Sequence, residues 1–239
     1  KKPDYWPETG SIYLPVNAGN PQFRIGRLGA VVDPSKDFVS GSNRTYGYVN
    51  TGAMISDQDG KGVAICPLDH GIMSFGDKGI CTIDPDYIPV KPVALVSMFN
   101  NVWAINFPYW IQGSLSSRVR IWSTENLNDS SLVNTAIEMR NPVIVAYAEG
   151  VAGNLPPEQK GIEVSRKGVQ CSVIYKGEEG TVIRVWELNG TSGQLTITLP
   201  EEMKAKKAIP VNLRGELTGN QFDIIDRDLV FNLDAYAPA

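Results

Sequence analysis

The chain has 239 residues, 42% of them hydrophobic and 20% charged, with net charge −4 and a pI near 5.1. That length and composition describe a globular protein able to bury a core without disulfides or metals. The acidic balance argues against nucleic-acid and anionic-membrane partners, and no apolar run is long enough for a membrane-spanning helix.

The 23 glycines and 16 prolines are spread along the chain, which predicts many turns and short strands. Residues 1–27 read as an extended entry, because Pro3, Pro7, Pro15 and Pro21 forbid a long helix and Ile12, Leu14 and Val16 alternate. Arg24 to Asp33 reads as one strand ending at the Asp33-Pro34-Ser35-Lys36 turn. Further strands are expected at Tyr46–Val49, Ala53–Ile55, Val63–Cys66 and Ile72–Phe75. Asp59-Gly60 before an apolar run is a hairpin signal. Asp69-His70-Gly71 interrupts the return strand.

Val93–Met98 is a nearly continuous apolar run, as in a strand buried on both faces. It feeds FNNVWAINFPYWIQGSLSSRVRIWS, Phe99 to Ser123, which holds three of the five tryptophans. Ser117–Trp122 alternates, with Val119 and Ile121 on one side and Arg118, Arg120 and Trp122 on the other. Asn126–Arg140 is the helical candidate, with capping residues at Asp129-Ser130-Ser131 and Pro142 ending it. Val143–Tyr147 reads as a strand. Gly150–Gly161 has the composition of a linker. Beyond it, seven strand candidates fall at Gly161–Ser165, Val169–Tyr175, Thr181–Leu188, Gln194–Leu199, Ala208–Leu213, Phe222–Ile225 and Leu229–Leu233. That spacing is the pattern of a small β-sandwich. The expected organisation is an all-β chain, with a large antiparallel sandwich over 1–155 and a smaller one over 156–239.

The chemistry-bearing residues are few. His70 is the one histidine, so a zinc centre built on imidazoles is not supported, and no metal site is identifiable. No Gly-x-Ser-x-Gly elbow or phosphate loop is present. Asp57-Gln58-Asp59-Gly60 is a fragment of a calcium-loop spacing better explained as a turn. No carboxylate pair stands out as catalytic. Glu187, in the strand IRVWEL, is available to pair with an arginine such as Arg214, and Arg184 to stack on Trp186. Cys66, Cys81 and Cys171 read as small buried thiols, with a Cys66–Cys81 disulfide as the alternative. Asn43, Asn128 and Asn189 open glycosylation tripeptides of a kind frequent by chance. Aromatic rings beside planar amides suit carbohydrate, since apolar sugar faces lie on rings while amides and carboxylates bind hydroxyls. Asp69, His70, Asn101, Trp103, Asn106, Tyr109, Trp110 and Gln112 are the candidate carbohydrate-binding residues. Trp122 is read as core.

The phrase NNVWAINFPYWIQGSLSSRVRIW resembles the N-x-W-x-x-N-F segment of proteins related to glycoside hydrolase family 38, the α-mannosidases. TVIRVWELNGTSGQLTITLP, AIPVNLRGE and LVFNLDAYAPA resemble the carboxyl-terminal sandwich of that group, and PETGSIYLPVN and SGSNR also fit. The resemblance implies a galactose-mutarotase-type super-sandwich followed by a smaller β-sandwich. It implies a preceding α/β barrel that holds the metal and the aspartate nucleophile, so no cofactor is expected in this chain. The chain opens on KKPDYWPE without an initiator Met and reads as an excised piece. The expected role is a carbohydrate-associated, non-catalytic region whose partners are a mannose-containing glycan and that barrel, with a secreted or periplasmic setting favoured. Two alternatives stay open: a stand-alone epimerase or lyase using His70, and a purely structural interaction module.

Overall fold

The computed structural model describes residues 8–102, 113–147, 149–150, 153–154, 156–177 and 180–239. The chain is all-β, with one helix among the described residues. It divides into two compact units, 1–141 and 142–239. The Gly150–Gly161 stretch therefore falls inside the second unit, a little past the division.

In the first unit, β1 (Thr9–Pro15), β4 (Tyr46–Tyr48), β7 (Ile72–Phe75) and β8 (Val93–Asn100) make one sheet in the order β1-β8-β7-β4. β2 (Gln22–Arg27), β3 (Ala30–Val32), β5 (Ala53–Ser56), β6 (Gly62–Pro67) and β9 (Val119–Thr124) make the second, in the order β3-β2-β5-β6-β9. Every pairing in both is antiparallel. Phe23, Ile25, Ala53, Ile55 and Ile65 from one sheet meet Met73, Phe75, Ala94 and Val96 from the other in one buried cluster. The sheets thus pack face to face, and the alternation Ile12, Leu14 joins β1 to that core.

The outer face of the five-stranded sheet is covered by α1 (Asp129–Arg140). Asn128 caps it, accepting from Ser131 N at 2.9 Å, while Ser131 Oγ accepts from Asn128 N at 3.0 Å. Leu132 and Leu127 pack on Met54 and Ala64, with Val31 and Trp122 alongside. Trp122 thus belongs to the packed sheet. All four residues of β5 are buried, since the second sheet covers one side and the helix the other. The apolar run in β8 is less complete: Leu95 and Met98 are half-buried, because no helix among the described residues lies over that sheet.

Several expectations need correction. Arg24–Asp33 is not one strand but a hairpin of β2 and β3, with Arg27 paired to Ala30. Leu28 and Gly29 have φ of 51° and 83°, so the backbone reverses there in a turn of the primed kind. Val143–Tyr147 pairs with no strand among the described residues, and Val143, Ile144, Val145 and Tyr147 are 88–92% exposed. β-propensity alone makes no strand without a neighbour to pair with and a face to bury. Cys66 is buried, its thiol donating to Thr51 O at 3.2 Å, but Cys81 is exposed, Cys171 is half-buried, and all three are free.

In the second unit, β10 (Glu163–Val164), β13 (Gly193–Thr198) and β16 (Asp228–Leu233) form a three-stranded sheet. β11 (Val169–Lys176) pairs β12 (Thr181–Glu187), and β14 (Lys207–Ala208) pairs β15 (Phe222–Asp223). Val185, Leu195, Ile197, Leu199 and Leu233 are its buried centre. β14 stops short of the expected Ala208–Leu213: Pro210 lacks a ladder donor, and Asn212 Oδ1 turns the chain by accepting from Arg214 N at 2.8 Å and Glu216 N at 3.1 Å.

The carboxyl-terminal residues add to the free edge of β12, with Val185 N donating to Ala239 O and Ala239 N to Val185 O, each at 2.8 Å. Glu187 locks this arrangement. It is fully buried, and its carboxylate accepts from Asn189 N at 3.0 Å, Gly190 N at 2.8 Å and Tyr236 N at 2.9 Å. The expected Arg214 partner is replaced by backbone donors. Arg184 does not stack on Trp186 but donates to Asn212 O at 2.8 Å.

Candidate functional site

The strand registers of the first unit bring several distant segments to one end of the sandwich. β6 ends at Pro67 opposite Val119, where β9 begins. β7 begins at Ile72, and β8 runs antiparallel to it, with Phe75 opposite Ala94 and Met73 opposite Val96. β8 therefore finishes at the end where β7 starts. The turn Leu68–Gly71, the exit of β8 at Asn100–Val102 and the approach to β9 at Gly113–Arg118 share this end.

Asp69 is held there by Arg118. Arg118 N donates to Asp69 Oδ2 at 2.7 Å, Nη2 to Oδ1 at 2.7 Å, and Nε to both oxygens at 3.1–3.2 Å. Leu68 N returns a bond to Arg118 O at 2.9 Å. These bonds, the guanidinium's above all, hold the Asp69 carboxyl down to about 2 and raise the Arg118 guanidinium. The carboxylate is thus ionised and spatially fixed, with its charge engaged by arginine rather than by a base.

His70 is half-buried, and its Nδ1 is enclosed without a hydrogen-bond partner among the described residues. Gly71 follows with Tyr48 over it, for a Cβ there would lie 2.5 Å from the ring. Only glycine lets the ring lie on the backbone beside His70. Tyr48 pairs with Ile72 and is 57% exposed, presenting an open aromatic surface at this end. Asn101 fixes the exit of β8: its N donates to Glu8 O at 2.9 Å, and its Oδ1 accepts from Glu8 N. Asn100 Oδ1 accepts from Val102 N at 2.8 Å.

Three of the predicted residues, Asp69, His70 and Asn101, thus stand at one end of the sandwich. Trp103, Asn106, Tyr109, Trp110 and Gln112 lie outside the described residues. The described chain on either side of them, Asn101–Val102 and Gly113–Arg118, leaves from and returns to that same end. Arg118 and Tyr48 were not among the predicted site residues. The arginine's alternation with Val119 signalled a different face but not a partner 49 residues earlier. Tyr48 had no local signal, since its place depends on the register of β4 with β7.

Among the described residues, no three His, Cys, Asp or Glu side chains are grouped to hold a metal. The second unit carries a wide, open depression lined by Phe222, Asp223, Ile225, Asp226, Asp228 and Val230. Asp228 is engaged there by Thr198 Oγ1 at 2.6 Å. No helix among the described residues is long and apolar enough to cross a membrane. No protein-family model matches the chain, and no curated protein matches it.

Proposed function

We propose that the chain is the non-catalytic carboxyl-terminal region of an α-mannosidase-like glycoside hydrolase, on a mutarotase-type super-sandwich and a smaller sandwich. In this reading it helps bind a mannose-containing glycan and shapes the site of a preceding catalytic barrel. One observation supports this above the rest: Asp69, His70 and Asn101 share the end of the sandwich from which the tryptophan-rich segment leaves and to which it returns. A fixed carboxylate–guanidinium pair offers both acceptors and donors to sugar hydroxyls. An exposed ring such as Tyr48 offers a face for the apolar side of a pyranose.

The alternative, a stand-alone epimerase or lyase using His70, would need a carboxylate to orient the imidazole. Asp69 is engaged by Arg118, which favours the binding reading.

The test is calorimetric titration of the chain with an oligomannoside, alongside an assay with an aryl α-mannoside. The reading expects weak binding, reduced by His70→Ala and by Asp69→Asn, and no hydrolysis. Turnover by the purified chain would refute the non-catalytic assignment. A longer protein carrying the barrel that bound no better than this chain would remove the architectural role.

A further inference from the structure

β9 lays Arg120 and Trp122 along one face, with Arg118 immediately before the strand, and α1 meets that face at both residues. Trp122 packs near Leu132, early in the helix. Arg120 lies opposite Cys66 and reaches the last turn, where its Nη1 is 3.7 Å from Met139 Sδ. Arg140, the next helical residue, turns onto the same place. Its Nε donates to Thr51 O at 2.9 Å and its Nη2 to Pro67 O at 2.8 Å. Pro67 stands opposite Val119, between Arg118 and Arg120. The Cys66 thiol donates to the same Thr51 O that Arg140 engages, and Arg120 is the cross-strand neighbour of Cys66, so both cations lie near one point; their fields oppose the rise that burial imposes on the thiol.

Two guanidiniums, those of Arg120 and Arg140, therefore sit together where β6 meets β9, and Arg118 lies just before β9. Asp69 engages Arg118. Among the described residues, no carboxylate pairs with Arg120 or Arg140, although the chain carries net charge −4. Glu138, on the same helix, is exposed and makes no ion pair with either. Arg120 is exposed, and among the described residues its Nε and Nη2 and the Nη1 of Arg140 are unengaged. The carbonyl end of the helix, which would repel an anion, is partly covered: Asn141 donates to Ile137 O from N at 3.1 Å and from Nδ2 at 2.8 Å. Like charges held together at a cost are offset when an oxyanion bridges them, and the planar fork of arginine suits a carboxylate or sulfate.

We propose that Arg120 and Arg140, beside the Asp69–Arg118 pair, form a subsite for the oxyanion of an acidic saccharide, either a uronate carboxylate or a sulfate ester. The saccharide part rests on the glycan reading above, because the cluster adjoins the same end of the sandwich. The oxyanion part rests on the arginines alone.

The test is titration of the whole chain at low salt with trigalacturonate, with a sulfated trisaccharide and with a neutral mannotriose. The subsite predicts that one or both acidic sugars bind more tightly than mannotriose, and that their binding weakens as salt is raised. Arg120→Gln, at an exposed position, should lower acidic-sugar affinity by about tenfold, and Arg120→Lys by less. Mannotriose binding should change little in either variant. Mannotriose binding equal to that of both acidic sugars would sink the subsite and leave the glycan reading standing. So would acidic-sugar binding that Arg120→Gln leaves unchanged. Competition by inorganic sulfate without binding of any saccharide would overturn the saccharide assignment and count against the glycan reading too.

Discussion

Two carboxylates show how the same chemical group is used in opposite ways. Asp69 sits at the sandwich end and is held by a guanidinium; Glu187 is fully buried and held by three backbone N–H groups. The Asp69 pKa is lowered from 3.8 to about 2, first by its side-chain bond to Arg118. A depressed carboxyl contributes stability that is complete above the unfolded value and is lost as pH falls through the folded one. The Asp69–Arg118 contribution should therefore persist down to mildly acid pH and disappear between about 4 and 2. Carbon-13 NMR titration of the Asp69 carboxyl should find a midpoint near 2 and, in Arg118→Gln, a return toward the ordinary range. An unchanged midpoint in that variant would show that the pair is not the cause. For Glu187, replacement by Gln leaves at least one N–H facing an amide donor, and should destabilise the second unit by about 2–3 kcal/mol. Urea unfolding followed by Trp186 fluorescence would measure it, and a loss under about 0.5 kcal/mol would contradict the three-donor lock.

At the scale of elements, the sequence is most readable where the signal is local. The Asp59-Gly60 hairpin is found between β5 and β6, with Gly60 at φ 81° and Asp57 Oδ1 accepting from Asp59 N and Lys61 N. The helix is found because Leu132 and Ala136 recur at helical spacing in contiguous sequence, but its cap is Asn128, and the expected Asp129-Ser130-Ser131 form its first turn. The β2–β3 turn is missed because Leu28 is an unusual residue for left-handed backbone. It is 79% exposed, so nothing apolar holds it there. Leu28→Asn should therefore stabilise the first unit by about 0.5–1 kcal/mol, since asparagine tolerates this conformation and favours primed turns. Thermal unfolding would register the gain, and a lowered midpoint would argue against the turn. Val143–Tyr147 fails for the reverse reason: its composition is that of a strand, but pairing is a property of the neighbours. Glu187 likewise needed the carboxyl-terminal residues, 49 positions away from it at Tyr236, to become intelligible.

At the scale of the whole molecule, each unit has its own core: Phe23 to Val96 in the first, Val185 to Leu233 in the second. The all-β class was legible from alternation and turns. The convergence of Asp69 and Arg118 was not, because it depends on the order in which β6 and β9 pair. In the proposed function, this end of the first sandwich contacts a glycan. Backbone amide NMR of the chain titrated with an oligomannoside tests it most directly. Glycan contact at this end should give saturable shifts at residues 68–72, 100–102 and 113–118, with resonances of the second unit unmoved. Shifts confined to the second unit, or none at saturating sugar, would contradict it.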